Sequence, residues 1–143
     1  MNFIQQFSNL DRIVGAVAVQ VSNALVLDKM IKYFLDDLGI VFYTNMVRYP
    51  DVLSIQTLPF EIKSLVDLRL AAVSLEVPSF KYVKSNPILK DLTLNQINGI
   101  RNFMWADDKH GLWPKTLEFN RRLDASRNSK KFEEITPEFK LFL

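Results

Sequence analysis

The chain of 143 residues contains no cysteine, one histidine and four glycines. Without cysteine it cannot form a disulfide, a thiolate zinc site or a cysteine-ligated iron–sulfur cluster, and it has no cysteine nucleophile. Its single histidine, His110, excludes a metal site built from several histidines. Four scattered glycines do not make a phosphate-binding glycine loop. The sequence therefore predicts no metal and no cofactor for this chain alone.

Long apolar runs and a strong excess of charge are also missing. No run approaches the roughly 20 apolar residues that span a bilayer, so no membrane association is predicted. The N-terminal Met-Asn-Phe-Ile-Gln-Gln lacks the basic region and apolar core of a signal peptide, which favours a cytoplasmic location. The net charge of +2 is too small to predict nucleic-acid binding. The length and the hydrophobic content of 48% fit one globular domain over residues 1–143.

Two apolar segments have the composition of strands that are buried on both faces. They are Ile13–Val21 and Ile40–Val47, and a helical pattern lies between them. Ser22 and Asn23 are suited to cap the start of that helix, and Gly39 is suited to end it in a left-handed conformation. A strand, a helix and a second strand in this order predict a parallel βαβ unit and hence an α/β fold.

The remaining pattern is mainly helical. A helix at about 59–75 completes a βαβα core over residues 13–75, and residues 79–143 form a helical C-terminal extension. The further predicted elements are a helix at 2–11, an extended segment through Leu53 and Ile55, a loop at 79–92, helices starting at the capping box Thr93–Gln96 and near Pro114, and a short helix near Phe132–Ile135.

Two parallel strands make an unusually small sheet. Both of its edges would be open, and a sheet of this composition is not expected to be stable alone. Three sources could complete it: strands not recognised within 79–92, a second copy of this chain, or a different protein subunit. The sequence therefore predicts a protein partner or a homo-oligomer unless the missing strands lie within 79–92.

Two groups of short motifs resemble a known enzyme family. Tyr49-Pro50 and Leu58-Pro59 follow the second strand, and a Leu-Asp-x-x-Arg helix end at Leu123–Arg127 precedes the dipeptide Pro137-Glu138. In order and spacing these motifs resemble the C-terminal part of twitch-domain radical SAM proteins. The resemblance covers residue 13 to the end and implies that the two strands are a fragment of a partial (βα) barrel.

The resemblance has a direct consequence for activity. Members of the family bind a 4Fe–4S cluster through three cysteines and use it to cleave S-adenosylmethionine, whereas this chain has no cysteine. The resemblance thus implies a truncated or split member that is not catalytic alone and acts as a partner-binding or substrate-positioning piece. S-adenosylmethionine and the cluster would be bound only if a partner chain supplied the cluster site.

Candidate ligand-binding residues follow from the rule that open α/β sheets bind ligands beyond the carboxyl ends of their strands. The rule selects Ser22 and Asn23 after the first strand, and Thr44, Asn45 and Arg48 after the second. Asparagine could hold a polar group of a ligand, and Arg48 could pair with a carboxylate. The alternative is structural, with Ser22 and Asn23 capping a helix and Asn45 bonding loop backbone.

Two further clusters allow other functions. Asp107, Asp108 and His110 could carry acid–base chemistry with a carboxylate orienting the imidazole, although a solvated turn is favoured. The basic cluster comprises Arg121, Arg122, Arg127, Lys130 and Lys131, and interspersed acidic residues favour a solvated helix face. Two alternatives to the split enzyme therefore stay open: a freestanding small α/β interaction protein, and an enzyme of unrelated mechanism that uses Asn45, Arg48 and the turn.

Overall fold

A parallel βαβ unit begins the structure, which is a computed structural model describing residues 14–127, 134 and 136–142. Strand β1 (Val14–Val19) pairs in parallel with strand β2 (Val41–Met46), and the register runs from Val14↔Val41 to Val19↔Met46. The predicted parallel pairing is thus confirmed. The helix predicted at 2–11 lies outside the described residues, and only Glu134 is described of the short helix predicted near 132–135.

The connection between the strands differs from one continuous helix. It consists of a 3₁₀ helix (Val21–Val26), the helix α1 (Leu27–Lys32) and a π-helical segment (Tyr33–Leu38). Gly39 ends this segment with φ 67°, the left-handed conformation that the sequence predicts. The N-cap is Gln20 rather than Ser22 or Asn23, and the side chain of Asn23 completes a capping box with Gln20.

The sheet is buried on one face only among the described residues. Val17, Val19 and Phe42 point into the core, whereas Ala16 and Tyr43 lie on the exposed face. The expectation of strands buried on both faces is therefore wrong for the part of the chain that the structure describes. A run of valine and alanine does not distinguish the two cases, because both residues are tolerated on either face.

The segment after the cis peptide bond between Tyr49 and Pro50 is compact rather than extended. It forms two short 3₁₀ helices, Asp51–Leu53 and Ile55–Thr57. Side-chain hydrogen bonds within the segment stabilise this conformation, since Ser54 Oγ accepts from the backbone N–H of Gln56 and the hydroxyl of Thr57 donates to Ser54 O. The prediction of an extended path through Leu53 and Ile55 is therefore wrong.

Three longer helices follow, and one of them begins earlier than the sequence predicts. They are α2 (Phe60–Glu76), α3 (Pro87–Ala106) and α4 (Trp113–Arg127). Asn86 caps α3, because its Oδ1 accepts from the backbone N–H of Leu89 at 3.0 Å. The loop prediction for 79–92 is wrong over its second half, and Thr93 is buried within α3 rather than at its cap. This segment contains no strand that could complete the sheet.

One hydrophobic core joins these elements. It extends from Val17 on β1 through the inward faces of α2 and α3 to Phe139, which lies in a final 3₁₀ helix (Pro137–Phe142). Ile97, Ile100 and Met104 supply the buried stripe of α3. Burial of this stripe and of the facing residues of α2 is the main force that holds the helices on the sheet.

An ion pair joins α2 to α3 and should stabilise the fold at neutral pH but not in acid. Arg101 donates to both carboxylate oxygens of Asp67, at 2.7 and 3.1 Å. These bonds lower the pKa of Asp67 below its ordinary value. A depressed pKa in the folded state gives stability that is present above the unfolded pKa of about 3.9 and is lost as the pH falls through the folded pKa.

We therefore expect Asp67→Asn to lower the free energy of unfolding by about 1 kcal/mol at pH 7, because the pair is bidentate but partly exposed. The difference between the variant and the wild type should vanish by about pH 2. Urea denaturation at both pH values measures it. Glu118→Gln is the matched control, because it breaks the exposed Glu118–Arg122 pair and should change little. A deficit of the same size at both pH values would contradict this account.

Candidate functional site

The predicted residues after β1 make bonds within the chain. Asn23 donates from Nδ2 to Ala18 O at 2.8 Å, and its Oδ1 accepts from the backbone N–H of Gln20 at 3.0 Å. Both ends of this amide are thus occupied by local backbone. Ser22 is exposed on the neighbouring 3₁₀ helix.

The predicted residues after β2 lie in different environments. Thr44 is bonded to α3, because its backbone N–H and its hydroxyl both donate to Gln96 Oε1, at 3.0 and 2.6 Å. The Arg48 guanidinium lies 5.0 Å from the centre of the Phe103 ring. Asn45 is exposed on the open face of the sheet. These contacts do not bring the predicted residues together around a single cavity.

The direction of the backbone groups identifies which part of the sheet is open. In a parallel pair, alternate residues of each strand point their N–H and C=O groups toward the neighbouring strand. Val47 donates to Val19 O at 3.0 Å, so Val19 faces β2. By alternation, Val14, Ala16 and Ala18 point their backbone groups away from β2, toward the outer edge of β1.

Side chains form hydrogen bonds with some of the outward backbone groups on the outer edges of β1 and β2. Gln96 occupies the outward N–H of Thr44 on β2, and Asn23 occupies the outward C=O of Ala18 on β1. Capping of exposed strand edges in this way discourages pairing with other chains. Among the described residues, no group pairs with the outward N–H and C=O of Val14 and Ala16. Within the part of the chain that the structure describes, the start of β1 is therefore the open part of the sheet edge.

A second feature is a cleft of about 570 Å³ between the start of α2, the end of α3 and the turn before α4. Two exposed aromatic rings form one wall: Phe60 and Trp105 meet edge to face with ring centres 5.7 Å apart. Pro59 and Pro114 add further apolar surface. None of the five residues predicted from the strand ends lines this cleft.

Lys63 is a buried charged group at the wall of the cleft. Its side chain is only 3% exposed, and its Nζ lies 3.4 Å from Asp108 Oδ1 and 5.7 Å from the centre of the Trp105 ring. A buried ammonium is costly unless it is paired, and these two contacts offset part of that cost. The ion pair therefore fixes the Asp107–Gly111 turn beside α2.

Asp108 also contacts His110, as the sequence suggests. It accepts from the backbone N–H of His110 at 3.1 Å, and its Oδ2 lies 2.9 Å from His110 Nδ1. These hydrogen bonds, with a smaller contribution from Lys63, lower the pKa of Asp108. Because an ionised carboxylate only accepts, this contact requires a proton on Nδ1, and in the neutral form of the imidazole Nε2 is then an acceptor. Asp107 does not line the cleft, and among the described residues no acidic or histidine cluster could hold a metal ion.

The sequence analysis does not identify Lys63 as a residue of the cleft, although its position in the helical pattern indicates that it is buried. Lys63 lies at i, i+3 and i+7 with Val66 and Leu70, so it belongs to the apolar stripe of α2. A lysine at such a position usually extends its charge to solvent along the helix surface. Phe60 and Trp105 are far apart in sequence, and their pairing depends on how α2 packs on α3.

The basic cluster is only partly described. Arg121, Arg122 and Arg127 are exposed on α4, and Arg122 pairs with Glu118 at 2.8 Å. Lys130 and Lys131 lie outside the described residues. None of the helices in the described part of the chain is long and apolar enough to cross a membrane.

Comparison with protein-family models, with curated proteins and with solved structures gave no match to this chain. The resemblance to twitch-domain radical SAM proteins therefore stays a hypothesis, and the function has to be inferred from the open sheet edge and the cleft.

Proposed function

We propose that this chain is a protein-interaction domain in which the open edge of β1 pairs with β1 of a second copy. The observation that supports it is the outward backbone of Val14 and Ala16, which has no partner among the described residues. Asn23 caps Ala18 farther along the same edge, and Gln96 caps the opposite edge on β2. A strand edge that is left open while its neighbours are capped is suited to strand addition.

The exposed face of the sheet also favours pairing of two copies at the β1 edge, because its side chains on β1 are apolar. Val14 is 45% exposed and Tyr43 46% exposed, and Ala16 and Ala18 lie on the same face of β1. The face has no charged residue among these positions, so two copies can approach without like-charge repulsion. Apolar surface of this kind is buried in stable assemblies.

Symmetry makes a second copy the preferred partner. The outward residues Val14, Ala16 and Ala18 are evenly spaced, so an antiparallel β1–β1 pair can be centred on Ala16. Val14 of one copy would then lie opposite Ala18 of the other, which is the self-complementary contact that a two-fold axis requires. The carbonyl of Ala18 can accept a second hydrogen bond beside that of Asn23, because it has two lone pairs.

Native mass spectrometry at micromolar concentration tests the proposal. We expect a dimer of twice the 16.6 kDa chain mass for the wild type. Ala16→Pro should give a monomer, because proline removes an N–H that points away from β2 and leaves the β1–β2 bonds intact. Ala16→Lys should also give a monomer, because it places a charge on the open face.

Leu75→Lys is the matched control, since it adds the same charge at a residue that is 86% exposed on α2 and should leave the dimer intact. Circular dichroism should show unchanged secondary structure in all three variants. A wild-type monomer would refute the proposal. So would a brown complex that forms only with a co-expressed chain carrying three cysteines, and this result would instead support the split radical SAM protein.

A further inference from the structure

The aromatic wall of the cleft is unusual because its rings are exposed. Phe60 is 69% exposed and Trp105 42% exposed, yet their rings meet edge to face. Large aromatic side chains contribute most to binding where a ligand covers them. The cleft volume of about 570 Å³ is in the range of small-molecule sites. A flat ring packed on Trp105 and Phe60 would bury both.

The ammonium of Lys63 has donors that the described residues do not use. It carries three N–H groups. It makes a long hydrogen bond of 3.4 Å to Asp108 Oδ1, and it lies over the face of the Trp105 ring. A buried ammonium that uses only one of its three N–H groups has lost hydrogen bonds that it had in water. An acceptor oxygen on the ligand would replace one of them.

The charges of the cleft constrain the ligand further. Lys63 contributes one positive charge, and Glu61 and Asp108 contribute two negative charges. With His110 neutral, the cleft carries a net negative charge and disfavours an anion. A cation would be repelled by Lys63 at the wall. An uncharged ligand avoids both costs, and His110 Nε2 can accept a hydrogen bond from it.

The geometry points to a binding site for an uncharged planar aromatic amide or heteroaromatic lactam in the cleft formed by Phe60, Lys63, Trp105, Asp108 and His110. The ring packs on Trp105 and Phe60, the carbonyl oxygen accepts from Lys63 Nζ, and the amide N–H donates to His110 Nε2. This site shares no residue with the sheet edge and does not depend on the oligomeric state.

Both tryptophans of the chain, Trp105 and Trp113, line the cleft, so their two indole N–H signals in a ¹H–¹⁵N NMR spectrum report on it. Benzamide, benzoate and benzylammonium are titrated separately at pH 8, where an imidazole is ordinarily neutral. They share one ring and differ in charge. We expect benzamide to shift both signals with a dissociation constant in the low millimolar range, and the two ions to bind at least several-fold more weakly.

Two variants test the assigned contacts. Lys63→Met keeps the apolar stem but removes the donor, and it should weaken benzamide binding about tenfold. Phe60→Leu removes an exposed ring, so it should preserve the fold and weaken binding several-fold. Lys84→Met changes an exposed lysine outside the cleft and should bind benzamide as the wild type does.

The proposal is overturned if benzamide shifts neither indole signal, if benzoate or benzylammonium binds as tightly as benzamide, or if folded Lys63→Met retains wild-type affinity. A thermal denaturation of each variant shows that it is folded before it is titrated.

Discussion

Replacement of Phe139 by alanine is expected to lower the free energy of unfolding by about 3–5 kcal/mol, the range for truncation of a buried phenylalanine. Phe139 is fully buried, and its ring centre lies 5.6 Å from that of Trp113 at the start of α4. Truncation removes this contact and leaves a cavity in the core. The melting temperature should fall by on the order of 10 °C or more.

The neighbours of Phe139 supply the control. Lys140 is exposed in the same 3₁₀ helix, so Lys140→Ala should leave the stability unchanged within about 0.5 kcal/mol. Glu138→Gln should cost less than about 1 kcal/mol, because the Arg69–Glu138 pair at 2.9 Å is partly exposed. If Phe139→Ala cost no more than Lys140→Ala in urea denaturation, residues 136–142 would not be part of the cooperative fold.

The sequence could not predict this contribution of the C-terminal segment. Phe139 is a single large apolar residue between charged neighbours and follows Pro137, so no period of two or 3.6 residues identifies it as core. Its burial depends on Trp113 and on Arg69, which bonds both Leu25 O and Glu138. These partners are distant in sequence, and only the packing of the helices brings them to the segment.

The βαβ unit, in contrast, could be predicted because its signals are local. Two valine-rich runs, a helical pattern between them and Gly39 after that pattern all lie within one contiguous stretch. The start of α3 was placed too late, because the Thr93–Gln96 pattern imitates a capping box. Asn86 and Pro87 were the true start signal, an N-cap followed by proline at the first helical position.

The candidate residues were predicted less well than the fold. The rule for strand ends identifies a region, but it does not tell whether a side chain serves a ligand or the backbone beside it. Asn23 and Thr44 form their hydrogen bonds within the chain. The contact between Asp108 and His110 could be predicted because they are two residues apart, whereas the addition of Lys63, Phe60 and Trp105 required the tertiary structure.

Replacement of Gly39 by alanine is expected to lower the free energy of unfolding by about 2 kcal/mol. Gly39 has φ 67°, and an L-residue with a β-carbon costs about 1–2 kcal/mol in that left-handed region. The new β-carbon would also lie 2.8 Å from Cδ1 of the Tyr82 ring, so that the ring has to move. Urea denaturation measures the change.

The same substitution at Gly99 should have the opposite sign, which separates the conformational cause from the loss of glycine itself. Gly99 is exposed within α3, and a β-carbon there would have no atom within 4 Å apart from its chain neighbours and the nearby backbone of its own helix. Gly99→Ala should therefore raise the free energy of unfolding by about 0.5–1 kcal/mol, because alanine loses less backbone entropy in a helix. If Gly39→Ala were as stable as Gly99→Ala, the left-handed conformation of residue 39 and its close contact with Tyr82 would be contradicted, because both predict a cost for a β-carbon at this position.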